Sequence, residues 1–160
     1  MSKYMLLTVI MLILTFTIIA VLFIKTNKES DFSLYWLKQG GIAGVTEEFV
    51  IYKNSSWSYK LSVGGKVVHE VNGFASYDDL NKLMNSLRES GITQVRKFSC
   101  KPKPEAADYF IYNLKLTLDG AYVNAQWIDE WASETKIPPS ILKVKKIIEE
   151  FIESHKSEHI

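Results

Sequence analysis

A single cysteine, Cys100, stands in the chain of 160 residues, so no intramolecular disulfide can staple the fold. Stability must come from a packed core, and with 47% apolar residues the material for one is present. Charge of either sign is not in excess: apart from Lys3, basic and acidic residues are equal in number. A balanced chain with no basic stripe is a poor match for a phosphate backbone, which argues against a nucleic-acid partner. Histidine is scarce, with only His69, His155 and His159. There is no His-Glu-x-x-His, no Gly-x-Ser-x-Gly and no glycine-rich phosphate loop ahead of a helix.

Met5–Ile24 lacks charge, proline and glycine altogether, and its only polar members are Thr8, Thr15 and Thr17. Twenty helical residues rise about 30 Å, the thickness of a bilayer's hydrocarbon core. A helix apolar on every side has no face for water, so residues 5–24 are expected to form a single transmembrane anchor. A cleaved signal peptide would need a shorter apolar region and small residues at the cleavage site, whereas this run ends Leu22-Phe23-Ile24-Lys25. Lys3 on one side and Lys25 with Lys28 on the other nearly balance the positive-inside count. The very short N-terminal flank is the feature of a signal anchor, and the aqueous domain is expected outside the cytoplasm. Residues 25–32 read as a short polar linker.

Beyond the linker, residues 33–154 read as one domain and 155–160 as a frayed tail. Ser33–Lys38 and Val45–Lys53 are expected strands. Trp57, Tyr59, Leu61 and Val63 alternate with polar residues, and Gly64-Gly65 turns the chain into Val67–Val71. Ser76 is placed to cap a helix with Asp78 and Asp79 in its first turn, the apolar stripe Leu80, Leu83, Met84, Leu87, and Gly91 as its stop. Cys100–Ala107, with Pro102 and Pro104, reads as a loop. Phe110, Tyr112, Leu114, Leu116 and Leu118 share one strand face, Asp119-Gly120 turns, and Val123, Ala125 and Trp127 return. Asp129–Lys136 looks like a polar loop, and Pro138-Pro139 opens a terminal helix with the stripe Ile141, Val144, Ile148, Phe151. Hairpins make antiparallel neighbours, and two one-sided helices need one apolar sheet face. The expected fold is therefore two-layer α+β, a largely antiparallel sheet with two helices on one face.

The candidates for chemistry are thin. His155 and His159 are spaced i, i+4 as ligands on a helix would be, but no third ligand is in view and both fall in the polar tail. Cys100 lies among Lys97 and Lys101 with no base nearby, an incidental thiol rather than a nucleophile. Glu47 and Glu48 would point to opposite faces of a strand, and Asp78-Asp79 already serve a helix start. Glu105 with Asp108 makes a further carboxylate pair, and Asp129-Glu130, at a strand end, read as solvated loop residues. No catalytic residue, metal ligand or cofactor is expected, and a hydrolase built on an acidic pair is the weakest rival. Asn54-Ser55-Ser56 matches a glycosylation sequon in an expected turn. Gly40, Gly41, Ile42, Ala43 and Gly44 stand apart. Three glycines in five residues permit positive φ and close backbone approach, and leave Ile42 near a loop tip. The plain alternative is that Ile42 packs beneath its own loop.

The run Leu34-Tyr-Trp-Leu-Lys-Gln-Gly-Gly-Ile-Ala-Gly-Val resembles the opening of the emfourin family of protealysin inhibitors, a short strand followed by Gly-Gly-x-Ala-Gly. The likeness continues through the helix ending at Gly91, through Ala107-Asp-Tyr-Phe-Ile-Tyr-Asn-Leu, and through Pro138-Pro-Ser-Ile-Leu. It spans roughly Ser33 to Ile152. Typical members are small soluble proteins, whereas here an apolar span precedes the domain and Asp129–Lys136 lengthens the approach to the last helix. The resemblance implies a non-catalytic protein that blocks a thermolysin-like zinc metallopeptidase, with residues 40–44 as the contact. A membrane-tethered binding or assembly module without inhibitory activity is the alternative from another class.

Overall fold

The computed structural model describes residues 31–156. The expected anchor, Met5–Ile24, lies outside them, as does His159; within them no helix is long and apolar enough to cross a membrane. The chain runs β1 (Ser33–Gly40), β2 (Val45–Ile51), β3 (Ser56–Val63), β4 (Lys66–Phe74), α1 (Tyr77–Glu89), β5 (Lys97–Ser99), β6 (Phe110–Leu118), β7 (Ala121–Ile128) and α2 (Pro139–Lys156). The seven strands form one sheet in the order β4-β3-β2-β1-β6-β7-β5, antiparallel except where β5 runs beside β7.

Alternation decides the layers. Leu34 and Trp36 of β1 lie opposite Ile51 and Phe49 on one side and Leu116 and Leu114 on the other, and all six are buried. Their neighbours Tyr35 and Leu37 point to the other face and are only half-buried. Both helices cover the first face. Leu80, Leu83, Met84 and Leu87 of α1 join Ile141, Val144, Ile148, Phe151 and Ile152 of α2 in a single cluster with the sheet's inward residues. Each such side chain, fully buried, contributes about 1.5–3 kcal/mol, against the entropy of ordering the chain. At the centre Trp36, Tyr112 and Trp127 form an aromatic triangle with ring centroids 5.4–5.6 Å apart.

Local chemistry explains the ends of the elements. Ser76 Oγ accepts the backbone N–H of Asp79, capping α1, and Gly91 at φ 73° takes the chain out of the helix. Gly64-Gly65 and Asp119-Gly120 are two-residue hairpin turns in which both residues have positive φ, the geometry that follows the twist of the strands.

Two expectations need correction, and one element was not expected at all: Lys97–Ser99 is a strand, β5, with too few residues for any period to show. Asp129–Lys136 is not simply a polar loop: Glu130–Ala132 makes a 3-10 turn, Ala132 is buried, and Ser133 bridges to Pro102 of the 100–107 loop. Ser154, His155 and Lys156 do not fray, since α2 continues through them and the His155 ring stacks on Phe151 with centroids 4.0 Å apart.

The sheet consequently has two rims. The entry rim holds the start of β1, the β2–β3 and β6–β7 turns and the end of β4. The loop rim holds residues 40–44, the Gly64-Gly65 turn, the 100–109 segment and the segment after β7.

Candidate functional site

The glycine-rich segment forms the β1–β2 connection at the loop rim. Gly40 is the last residue of β1, paired with both Val45 and Phe110, and Gly41 and Gly44 follow with positive φ. At Gly40 the need for glycine is steric as well as conformational. Its φ is 138°, and a Cβ there would be driven into the carbonyl oxygen of Tyr109. Gly44 N–H closes the loop on Gly41 O at 2.9 Å, and Gly64 N–H donates to the carbonyls of Ala43 and Gly44, both at 3.2 Å. The loop is thus fixed from below by β6 and from the side by the next hairpin. Ile42, at its tip, is 92% exposed, so it does not pack beneath its own loop.

Beside Ile42 lies a shallow concavity of about 740 Å³, lined by Gly41, Ile42, Ala106, Ala107, Asp108, Tyr109 and Ile111. Asp108 sits at φ 60°, a conformation that aspartate tolerates better than most residues. Residues 106–109 had no place in the site read from the sequence. Their one signal there was the acidic-aromatic start of the run Ala107–Leu114, which the fold brings against the glycine loop.

Behind the rim, between sheet and α2, a polar network holds the ends of β1, β2 and β6. Asp129 Oδ2 accepts the backbone N–H of Phe110 at 2.9 Å, and Asp129 Oδ1 accepts the hydroxyl of Tyr112 at 2.9 Å. Lys145 Nζ donates to the same hydroxyl at 3.0 Å and lies over the Tyr112 ring. Tyr59 donates to Glu47 Oε1 at 3.0 Å, and Lys38 pairs with Glu47 Oε2 at 3.5 Å while its ammonium lies over Phe110. Burial, then the neighbouring carboxylates, push both phenols far above their ordinary range, so each stays a neutral donor. Burial also raises the Glu149 carboxyl, with Lys145 and Lys38 opposing it. The chemistry of this network is positioning. Asp129, read from the sequence as a solvated loop residue, is instead the acceptor that fixes the start of β6.

Comparison with protein-family models and with curated proteins finds no match for this chain. The emfourin resemblance therefore rests on the quoted residues. Two of its runs, Gly40–Gly44 and Ala107–Leu114, meet at one rim.

The remaining candidates are scattered. Glu47 and Glu48 do face opposite ways, Glu47 toward Tyr59 and Glu48 toward Tyr35. Asp79 serves the α1 cap, and its carboxyl is lowered first by the Ser76 hydroxyl. His69 stands edge-on to Tyr59, and Cys100 is half-buried against the core. Among the described residues no group of three or more His, Cys, Asp or Glu side chains converges as metal ligands do.

Proposed function

We propose that this is a membrane-anchored, emfourin-like protein whose loop rim binds a thermolysin-like metallopeptidase and inhibits it by steric block. The observation that carries the proposal is Ile42: an isoleucine 92% exposed on a loop whose backbone is held from two sides. A rigid apolar tip loses little conformational entropy on docking, and the hollow at residues 106–109 offers a second contact beside it. Tethering to a surface raises the effective concentration toward partners held there.

The test pairs inhibition with stability, using the full chain in detergent. The parent protein should inhibit a thermolysin-like peptidase at micromolar concentration. Ile42→Asp should weaken inhibition by about tenfold to a hundredfold, the loss expected for one buried isoleucine, with the melting temperature unchanged. A parent that inhibits no such peptidase removes the inhibitory function and leaves the assembly module as the reading to pursue by pull-down. Hydrolysis by the protein alone would instead return the acidic-pair enzyme.

A further inference from the structure

We infer that the entry rim is a membrane-contact surface, seated in the interfacial layer of the bilayer that anchors the chain. The inference rests on reading Met5–Ile24 as that anchor. Four aromatic side chains are unusually exposed on this rim: Tyr52 at 51%, Phe74 at 77%, Tyr77 at 81% and Tyr122 at 55%. They belong to the β2–β3 turn, the end of β4, the start of α1 and the start of β7. From β4 to β7 is five strand spacings, so the row reaches about 24 Å along the rim.

The chain itself says what covers this row. It enters β1 at Ser33, in the middle of the sheet, and the Asp31–Lys53 ion pair at 3.3 Å sets the entry beside Tyr52. Only Lys25–Ser30 separate Ile24 from Asp31. Even fully extended, that stretch reaches no more than about 25 Å, and as a flexible coil about 15 Å. A tether of that length brings this rim within reach of the headgroups, and the aromatic row is what would keep it there. Aromatic rings with one apolar body and, for tyrosine, one polar tip are the side chains that settle there.

Charge on the rim does not supply the attraction. Lys53 pairs with Asp31 and Arg88 with Asp119, each cation matched by a carboxylate. Seating of the aromatic row should accordingly not require anionic lipid, while Lys25 and Lys28 of the linker would strengthen anchoring on it.

The experiment uses the full chain reconstituted in phosphatidylcholine vesicles. With Cys100→Ser as background, a cysteine placed by Asn72→Cys near the end of β4 on the entry rim or by Lys66→Cys on the loop rim carries an environment-sensitive fluorophore. Lipid bearing a headgroup-level quencher then reports depth. Flotation with the vesicles tests the anchor separately, and failure to float overturns the anchor and this inference together. In floating protein the Asn72→Cys label should be quenched at least about threefold more than the Lys66→Cys label. Combining Tyr52→Ser, Phe74→Ser and Tyr77→Ser should abolish most of that difference while flotation persists. Since all three side chains are at least half exposed, the melting temperature should hold; if it does not, Phe74→Ser alone is read. Equal quenching of the two labels in floating protein overturns the inference. So does quenching that survives loss of the aromatics, or that needs anionic lipid.

Discussion

The two rims of the sheet use the same turn chemistry under different constraints. At the entry rim, Gly120 has positive φ but nothing within 4 Å of where a Cβ would stand, and its neighbour Asp119 makes an exposed ion pair with Arg88. At the loop rim, Gly40 also has positive φ, yet the backbone of Tyr109 closes on it, and Asp129 holds two hydrogen bonds. One rim asks only that the chain turn. The other asks that a particular surface keep its shape. Positive φ in a sequence motif therefore marks a turn, and what surrounds the glycine tells whether anything depends on that turn.

The sharpest way to break the contrast is to add a methyl group at each rim. Gly40→Ala must carry both strained backbone and the clash with Tyr109, and should cost about 3 kcal/mol or more by denaturant unfolding. Gly120→Ala should cost only about 1–2 kcal/mol, the conformational part alone. Equal costs would mean that the loop rim yields as readily as an open turn. Next come the two aspartates. Asp129→Ala strands the Phe110 amide and the Tyr112 hydroxyl, and should lose about 2–4 kcal/mol. Asp119→Asn removes the exposed pair while keeping a residue that tolerates the positive φ at 119, and should lose less than about 1 kcal/mol.

Glu149 sharpens the comparison through pH. Burial raises its carboxyl in the fold, so the fold favours the neutral acid. The stabilisation is complete when the group is protonated, below the ordinary carboxylate range, and is lost as pH rises through the raised value. Glu149→Gln should therefore raise the melting temperature at neutral pH by about 1–3 °C and leave it unchanged in acid. A lower melting temperature at neutral pH would show that Lys145 and Lys38 outweigh burial. The smallest stability effect is expected at Ile42, the most exposed large apolar side chain among the described residues: Ile42→Asp should shift unfolding by less than about 0.5 kcal/mol.

Much of this architecture was legible in the sequence because local rules wrote it. The β3–β4 and β6–β7 hairpins follow from alternation plus a two-residue turn, and α1 follows from Ser76 and its stripe. What was not legible depends on distant pairing. β5 exists because three residues lie beside β7, not because of any pattern of their own. The role of Asp129 depends on partners 17 and 19 residues away, and that of His155 on rings brought to it by packing. For the site, the glycine loop was visible as composition, while its partner at residues 106–109 became visible only when the sheet closed. The anchor at Met5–Ile24 belongs to sequence reasoning alone.

β1 begins at the chain's entry and ends at the glycine loop, and it is hydrogen-bonded along its length to β2 on one side and β6 on the other. A pull between Asp31 and Ile42 would put this one strand in tension, carried along a covalent backbone that is already extended. The ladders to β2 and β6 would hold the strand in register without bearing that load. Neither helix lies in that line, so α1 and α2 could loosen without slackening it. Mechanically β1 is a tie, and a load taken at the loop tip would arrive at the linker through a single strand.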